Sequence, residues 1–201
     1  MGTLMAARRR RFAIGVPQSI ALTVVLALCG VAGAKLLYAF ENGFRWDGVS
    51  FYGAVWLVLV LMPLVGLIFG LRPSATLDLC APCVTAMVTC LRFNCLLAGC
   101  CGGWLAKVGG VSFRWPTQMI ESLGDLLILF FLLVQEQKGQ QKGRLYPLFL
   151  CLYGTMRFFI EFLRDTPKEL LLSNGQWFSL VSLAVGGIWL YGKRREKTKT
   201  R

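Results

Sequence analysis

Residues Tyr153-Gly154-Thr155-Met156-Arg157-Phe158-Phe159-Ile160-Glu161-Phe162-Leu163-Arg164 are aromatic and apolar enough to lie in a bilayer, yet they carry three full charges. On a helix, Arg157 and Glu161 are i,i+4 neighbours and Glu161 and Arg164 are i,i+3 neighbours. The spacing therefore predicts one charged face shared with Tyr153. An ionisable side chain at membrane depth costs about 2.5 to 3.5 kcal/mol at the helix centre, so it faces protein or a wet cavity rather than lipid. Two arginines against one glutamate leave a net positive charge, which suits an anion. The plainer reading is a structural salt bridge near a helix end, with Arg164 reaching to the interface. Both stand open at this point.

The surrounding sequence settles the class. Of 201 residues, 56% are hydrophobic, and the mean hydropathy is +0.60, values of an integral membrane protein rather than a soluble domain. The apolar run from about Val16 to Phe40 resembles a signal peptide at its start. It is too long for a signal core and long enough to span the membrane uncleaved. Five further spans follow, at roughly Ser50–Leu71, Leu77–Ala98, Gln118–Val134, Leu145–Leu163 and Gln176–Tyr191. The expected fold is all-α, a multi-pass bundle of about six spans forming one domain over residues 1–201. Basic residues flank it at 1–15 and 192–201.

The net charge of +12 is concentrated rather than spread. Arg8-Arg9-Arg10-Arg11 and the tail from Lys193 to Arg201 read as anchors on anionic lipid, and no nucleic-acid motif accompanies them. With six spans, 14 Lys and Arg fall on the side of the termini and 5 on the opposite side. That bias places both termini in the cytoplasm.

The chain has no His, so the commonest general base and metal ligand are missing. Its eight Cys, mostly between Cys80 and Cys101, read by default as small apolar residues. A Cys-only metal cluster inside a bilayer is disfavoured, and no cofactor is expected. Gln118, Glu121 and Asp125, at i, i+3 and i+7, form a polar stripe on the fourth span. Arg92, Arg157 and Lys35 are the cations within spans. Either these acids and bases neutralise one another, or one arginine remains for a ligand phosphate. The glycines of Gly99-Cys100-Cys101-Gly102-Gly103-Trp104 predict tight, partly re-entrant backbone.

Taken in order, the motifs resemble the prolipoprotein diacylglyceryl transferase family. They are Gly33-Ala34-Lys35, Trp46-Asp47-Gly48 with Ser50-Phe51-Tyr52-Gly53, and Asp78 with Ala81-Pro82. Next come Arg92, Arg114-Trp115-Pro116-Thr117-Gln118 with Glu121, and Tyr153-Gly154 with Arg157-Phe158, Glu161 and Arg164. The resemblance implies a bacterial inner-membrane bundle with a central polar cavity open to lipid. It implies transfer of the diacylglyceryl group of phosphatidylglycerol to the cysteine thiol of a lipoprotein precursor, with glycerol 1-phosphate released. The implied partners are phosphatidylglycerol and other anionic phospholipid, a precursor with a lipobox cysteine, and the bilayer. By position, Arg157, Glu161 and Tyr52 would be catalytic, while Arg92, Arg164, Lys35, Gln118 and Glu121 would bind the headgroup. Tyr52 stands where many family members have His and others have Tyr. Trp115 stands where the family has His before Pro, and the extracytoplasmic insert is shortened to about Gly102–Phe113.

Two other functions fit parts of the chain. Cys80-Ala81-Pro82-Cys83 is a CxxC, as in membrane thiol–disulfide proteins, although no βαβ pattern surrounds it. A divergent or non-catalytic protein binding anionic lipid would keep the charged seam without the chemistry.

Overall fold

A computed structural model describes residues 4, 6, 8, 12, 14–100, 102–108, 111–138, 143–164 and 172–199. Arg9 to Arg11, Cys101, most of the Lys138–Arg144 loop, Asp165, Lys168 and the last two residues of the tail lie outside the described residues. Six long helices carry the fold: α1 (Val16–Glu41), α2 (Phe51–Ile68), α3 (Pro73–Leu97), α4 (Thr117–Gln137), α5 (Leu145–Ile160) and α6 (Asn174–Lys199). Five of the six, α6 excepted, are long and apolar enough to cross a membrane, α5 together with the short 3-10 turn Glu161–Leu163. This is an all-α, multi-pass membrane protein. Helix α6 differs in composition, beginning with Asn174-Gly175-Gln176 and burying Gln176, Ser179 and Ser182 along one face.

The chain forms two compact units, Met1–Val84 and Thr85–Arg201. In the first, α1 packs on α2. Gly33 and Gly53 face one another there: a Cβ on Gly33 would meet Gly53 backbone carbon at 2.8 Å, and one on Gly53 would meet Gly33 backbone carbon at 2.7 Å. Small residues at a helix crossing let backbones approach where lipid supplies no hydrophobic drive. Gly33→Val is therefore expected to lose about 1–3 kcal/mol through overpacking. A thermal scan in detergent should show a clear drop in Tm for it and none for Gly187→Ala, where a Cβ meets nothing within 4 Å. An unchanged Tm in Gly33→Val would contradict the close crossing.

The loop after α1 folds back on that helix. Ser50 N donates to Ala34 O at 2.9 Å, Lys35 Nζ donates to Trp46 O at 2.7 Å, and Gly48 lies against the Tyr38 ring. Arg8 departs from the reading of the basic N-terminus as a lipid anchor. It is buried and donates to Leu79 O at 2.5 Å and Asp78 O at 3.0 Å. The reason is Pro82 inside α3, which has no N–H to give the Asp78 carbonyl four residues back. The Arg8 guanidinium supplies the missing donor.

In the second unit, α5 packs on α4 and α6. Gly154 of α5 comes close to Ser179 O of α6, where an added Cβ would lie at 3.0 Å, and Gly186 of α6 would meet Pro147 O at 2.8 Å. The stretch expected to be tight and partly re-entrant, Gly99 to Trp104, leads into an antiparallel hairpin, β1 (Leu105–Val108) with β2 (Val111–Arg114), in the register Leu105↔Arg114 to Val108↔Val111. Its base is tied down on both sides. Gly103 N donates to Trp115 O at 2.9 Å and Trp104 N donates to Leu163 O at 3.1 Å.

Candidate active site

Helix α4 is apolar outside and polar inside. Gln118, Glu121, Ser122 and Asp125 are buried, while Met119, Leu123, Leu126 and Leu127 are exposed. In lipid this inversion is expected, because the outward face meets hydrocarbon and polar groups must find partners within the protein. The partners are arginines from separate parts of the second unit. Arg92 of α3 places Nε 2.6 Å from Glu121 Oε2. Arg157 of α5 donates to Glu121 Oε1 through one terminal nitrogen and lies 2.8 Å from Glu161 Oε2 through the other. Arg164 donates to Glu121 Oε1 at 3.2 Å and comes within 4.0 Å of Glu161. A single carboxylate, 2% exposed, thus gathers three guanidiniums.

Each member is positioned by local structure. The i,i+4 spacing of Arg157 and Glu161 joins the last turn of α5 to the 3-10 turn. Arg164 is not on that helix as the spacing predicts. It follows the 3-10 turn in extended conformation, ψ 146°, and forms an isolated bridge with Gly103 at the hairpin base. Gly103 permits this approach, since a Cβ there would meet Trp115 Cβ at 2.8 Å and Thr117 Cγ2 at 2.9 Å. Glu161 in turn lies against the first turn of α6. A Cβ on Gly175 would be 2.9 Å from its carboxylate, at the end of a helix where the dipole favours negative charge. Tyr153 is buried on α5 and shares a side-chain hydrogen bond with Arg92.

Of the residues singled out from sequence, Arg92, Glu121, Arg157, Glu161 and Arg164 come together here. Gln118 lies on the same face of α4, its amide donating to Cys100 O. Lys35 and Tyr52 belong to the first unit, where Lys35 holds the Trp46 carbonyl and Tyr52 is buried in the first turn of α2. All three arginines engage the carboxylates of Glu121 or Glu161. Donors remain nonetheless. A guanidinium carries five N–H groups, more from three arginines than two carboxylates can use. Cys80 and Cys83 are buried in α3.

The sequence profile described as prolipoprotein diacylglyceryl transferase matches residues 1–192. The chain belongs to that family. A phosphatidylglycerol–prolipoprotein diacylglyceryl transferase 2 of Clostridium perfringens (strain 13 / Type A) is 30% identical over 206 residues, covering 87% of this chain and 78% of the relative. The corresponding transferase of Clostridium tetani (strain Massachusetts / E88) is 30% identical over 195 residues, 82% of this chain and 76% of its own length. That of Methylobacillus flagellatus is 32% identical over 170 residues, 77% and 65%.

For a member of the prolipoprotein diacylglyceryl transferase family, two features of the site lay beyond the motifs. One is the approach of Gly175 to Glu161, which joins residues from α6 and the 3-10 turn. The other is the convergence of Arg92, Arg157 and Arg164 on Glu121. The i, i+3, i+7 stripe of α4 was the available signal for the second, since it marks Glu121 as inward-facing but does not say how many cations reach it.

Proposed function

We propose that this chain transfers the diacylglyceryl group of phosphatidylglycerol to the cysteine thiol of a prolipoprotein, and that the arginine cluster holds the lipid phosphate. Membership of the transferase family supports the reaction. The observation that carries the site is the meeting of Arg92, Arg157 and Arg164 on one buried glutamate. Three guanidiniums present more N–H donors than two carboxylates can use, and those left over suit the oxygens of a phosphodiester. Glu121 and Glu161 hold the guanidiniums in place, so little reorganisation accompanies the chemistry. The leaving group is a phosphate monoester, and its growing charge is met by charge-assisted hydrogen bonds from donors the carboxylates leave unused. The attacking sulfur must be a thiolate, and a positive field favours that form.

The positive-inside bias supports a bacterial inner-membrane location with both termini in the cytoplasm. Reporter fusions at each end test that orientation.

Complementation of a conditional transferase-deficient bacterium tests the function. Restored growth and lipidated precursor are expected. Failure of a well-expressed protein to restore lipidation would sink the reaction and leave an anionic-lipid-binding protein as the reading. If Cys80→Ser with Cys83→Ser abolishes activity while Arg92→Ala does not, the thiol–disulfide reading replaces it.

A further inference from the structure

The reaction proposed above needs a group to take the thiol proton, and the chain contains no histidine to do so. The carboxylates of the second unit whose side chains are described are Glu121, Asp125, Glu136 and Glu161. Glu136 lies about four turns along α4 from Glu121, too far to take part. Glu121 is held by three guanidiniums and Glu161 by two. A proton on either would weaken several charge-assisted bonds at once. Asp125 differs from both. Its side chain is 0% exposed, and among the described residues neither Oδ1 nor Oδ2 has a hydrogen-bond partner. It stands one turn beyond Glu121 on the same buried face of α4. The charged groups around it are Arg92 of α3, Glu121 of its own helix and Arg157 of α5.

We propose that Asp125 accepts the thiol proton during transfer; this rests on the function proposed above. When the acceptor cysteine comes within hydrogen-bond reach, the S–H bond breaks and the proton moves to an Asp125 oxygen. The sulfur electron pair forms the C–S bond to the terminal glyceryl carbon. The C–O bond to phosphate breaks, and its electron pair leaves with glycerol phosphate. Asp125 then returns the proton to the phosphate product or to water, so proton and charge balance over the cycle. Proton uptake at Asp125 breaks no hydrogen bond. It also removes one negative charge from the arginine cluster at the moment when the departing phosphate gains one, so the field strengthens where charge develops.

The test compares the parent with Asp125→Asn in mixed micelles of phosphatidylglycerol, with a lipobox peptide as acceptor. At pH 7 the variant should lose on the order of 100-fold or more in kcat, the usual contribution of a positioned base. Its KM for phosphatidylglycerol should stay within about threefold, because asparagine leaves the arginine pairs intact. The defect should shrink above about pH 8.5, where the thiol ionises unaided. Asp125→Glu should recover part of the lost rate. Three results would each overturn the proposal: Asp125→Asn keeping more than a third of the parent kcat, a defect that stays constant from pH 7 to 10, or a variant that does not fold, which would make Asp125 a structural residue. Absence of transfer by the parent itself is a separate outcome, counting against the function and not against this assignment.

Discussion

Glu121→Ala is expected to destabilise the protein by about 3–5 kcal/mol, the loss that follows when one partner of a buried ion pair is removed. The side chain is 2% exposed and meets Arg92, Arg157 and Arg164. Without it, Arg157 keeps Glu161, Arg92 keeps its hydrogen bond with Tyr153, and among the described carboxylates Arg164 keeps the 4.0 Å contact with Glu161. Three cations would then repel one another where water is scarce. Unfolding in graded SDS or by heat in detergent measures the loss. Glu121→Gln should fall between parent and alanine variant, since the amide oxygen still accepts a bond but carries no charge. A Glu121→Ala protein as stable as the parent would show that the convergence contributes nothing to the fold.

The second large effect is on activity. Arg157→Ala and Arg92→Ala are expected to abolish transfer, whereas Cys29→Ala, remote in role from the cluster, should leave it intact. The sharper variant is Arg157→Lys. Arg157 joins Glu121 and Glu161 through separate terminal nitrogens of one planar group. A lysine ammonium keeps the charge but not that fork. Losing one charge-assisted bond costs about 1.5–3 kcal/mol. If that loss falls on the transition state, the rate drops by about 10- to 150-fold. Steady-state kinetics on membranes with matched expression would show it. Retention of more than a third of the activity in Arg157→Lys would mean that charge alone matters at this position and that the two-pronged geometry does not.

Much of this was legible from residue order alone. Five of the six spans read from hydropathy lie within a few residues of the helices, for example Val16 to Phe40 against Val16–Glu41 and Leu77–Ala98 against Pro73–Leu97, while the sixth, Gln176–Tyr191, falls in α6, which is not apolar enough to count with them. A bilayer makes this so, because a spanning segment must be both long and apolar. The i,i+4 pair of Arg157 with Glu161 was equally readable, being a contact within one stretch of chain. The hairpin was less visible, although Gly109-Gly110 between two short runs is a hairpin signal.

Local sequence also determined that Gln118, Glu121 and Asp125 face inward together, since helical period alone puts them on one stripe. It determined that Arg92, Arg157 and Arg164 are unusual charges for their surroundings. Which acid each would meet was a matter for the tertiary structure. Arg92 and Glu121 are separated by a hairpin, and Arg164 reaches Glu121 only because the chain leaves α5 through a 3-10 turn and bridges to Gly103. Ion pairs across helices depend on crossing geometry, register and the small residues that set interhelical distance, none of which has a period in the sequence. The same holds for Arg8, whose charge suggested a lipid surface. Its place was set by a carbonyl that Pro82, seventy-four positions away, leaves without a donor.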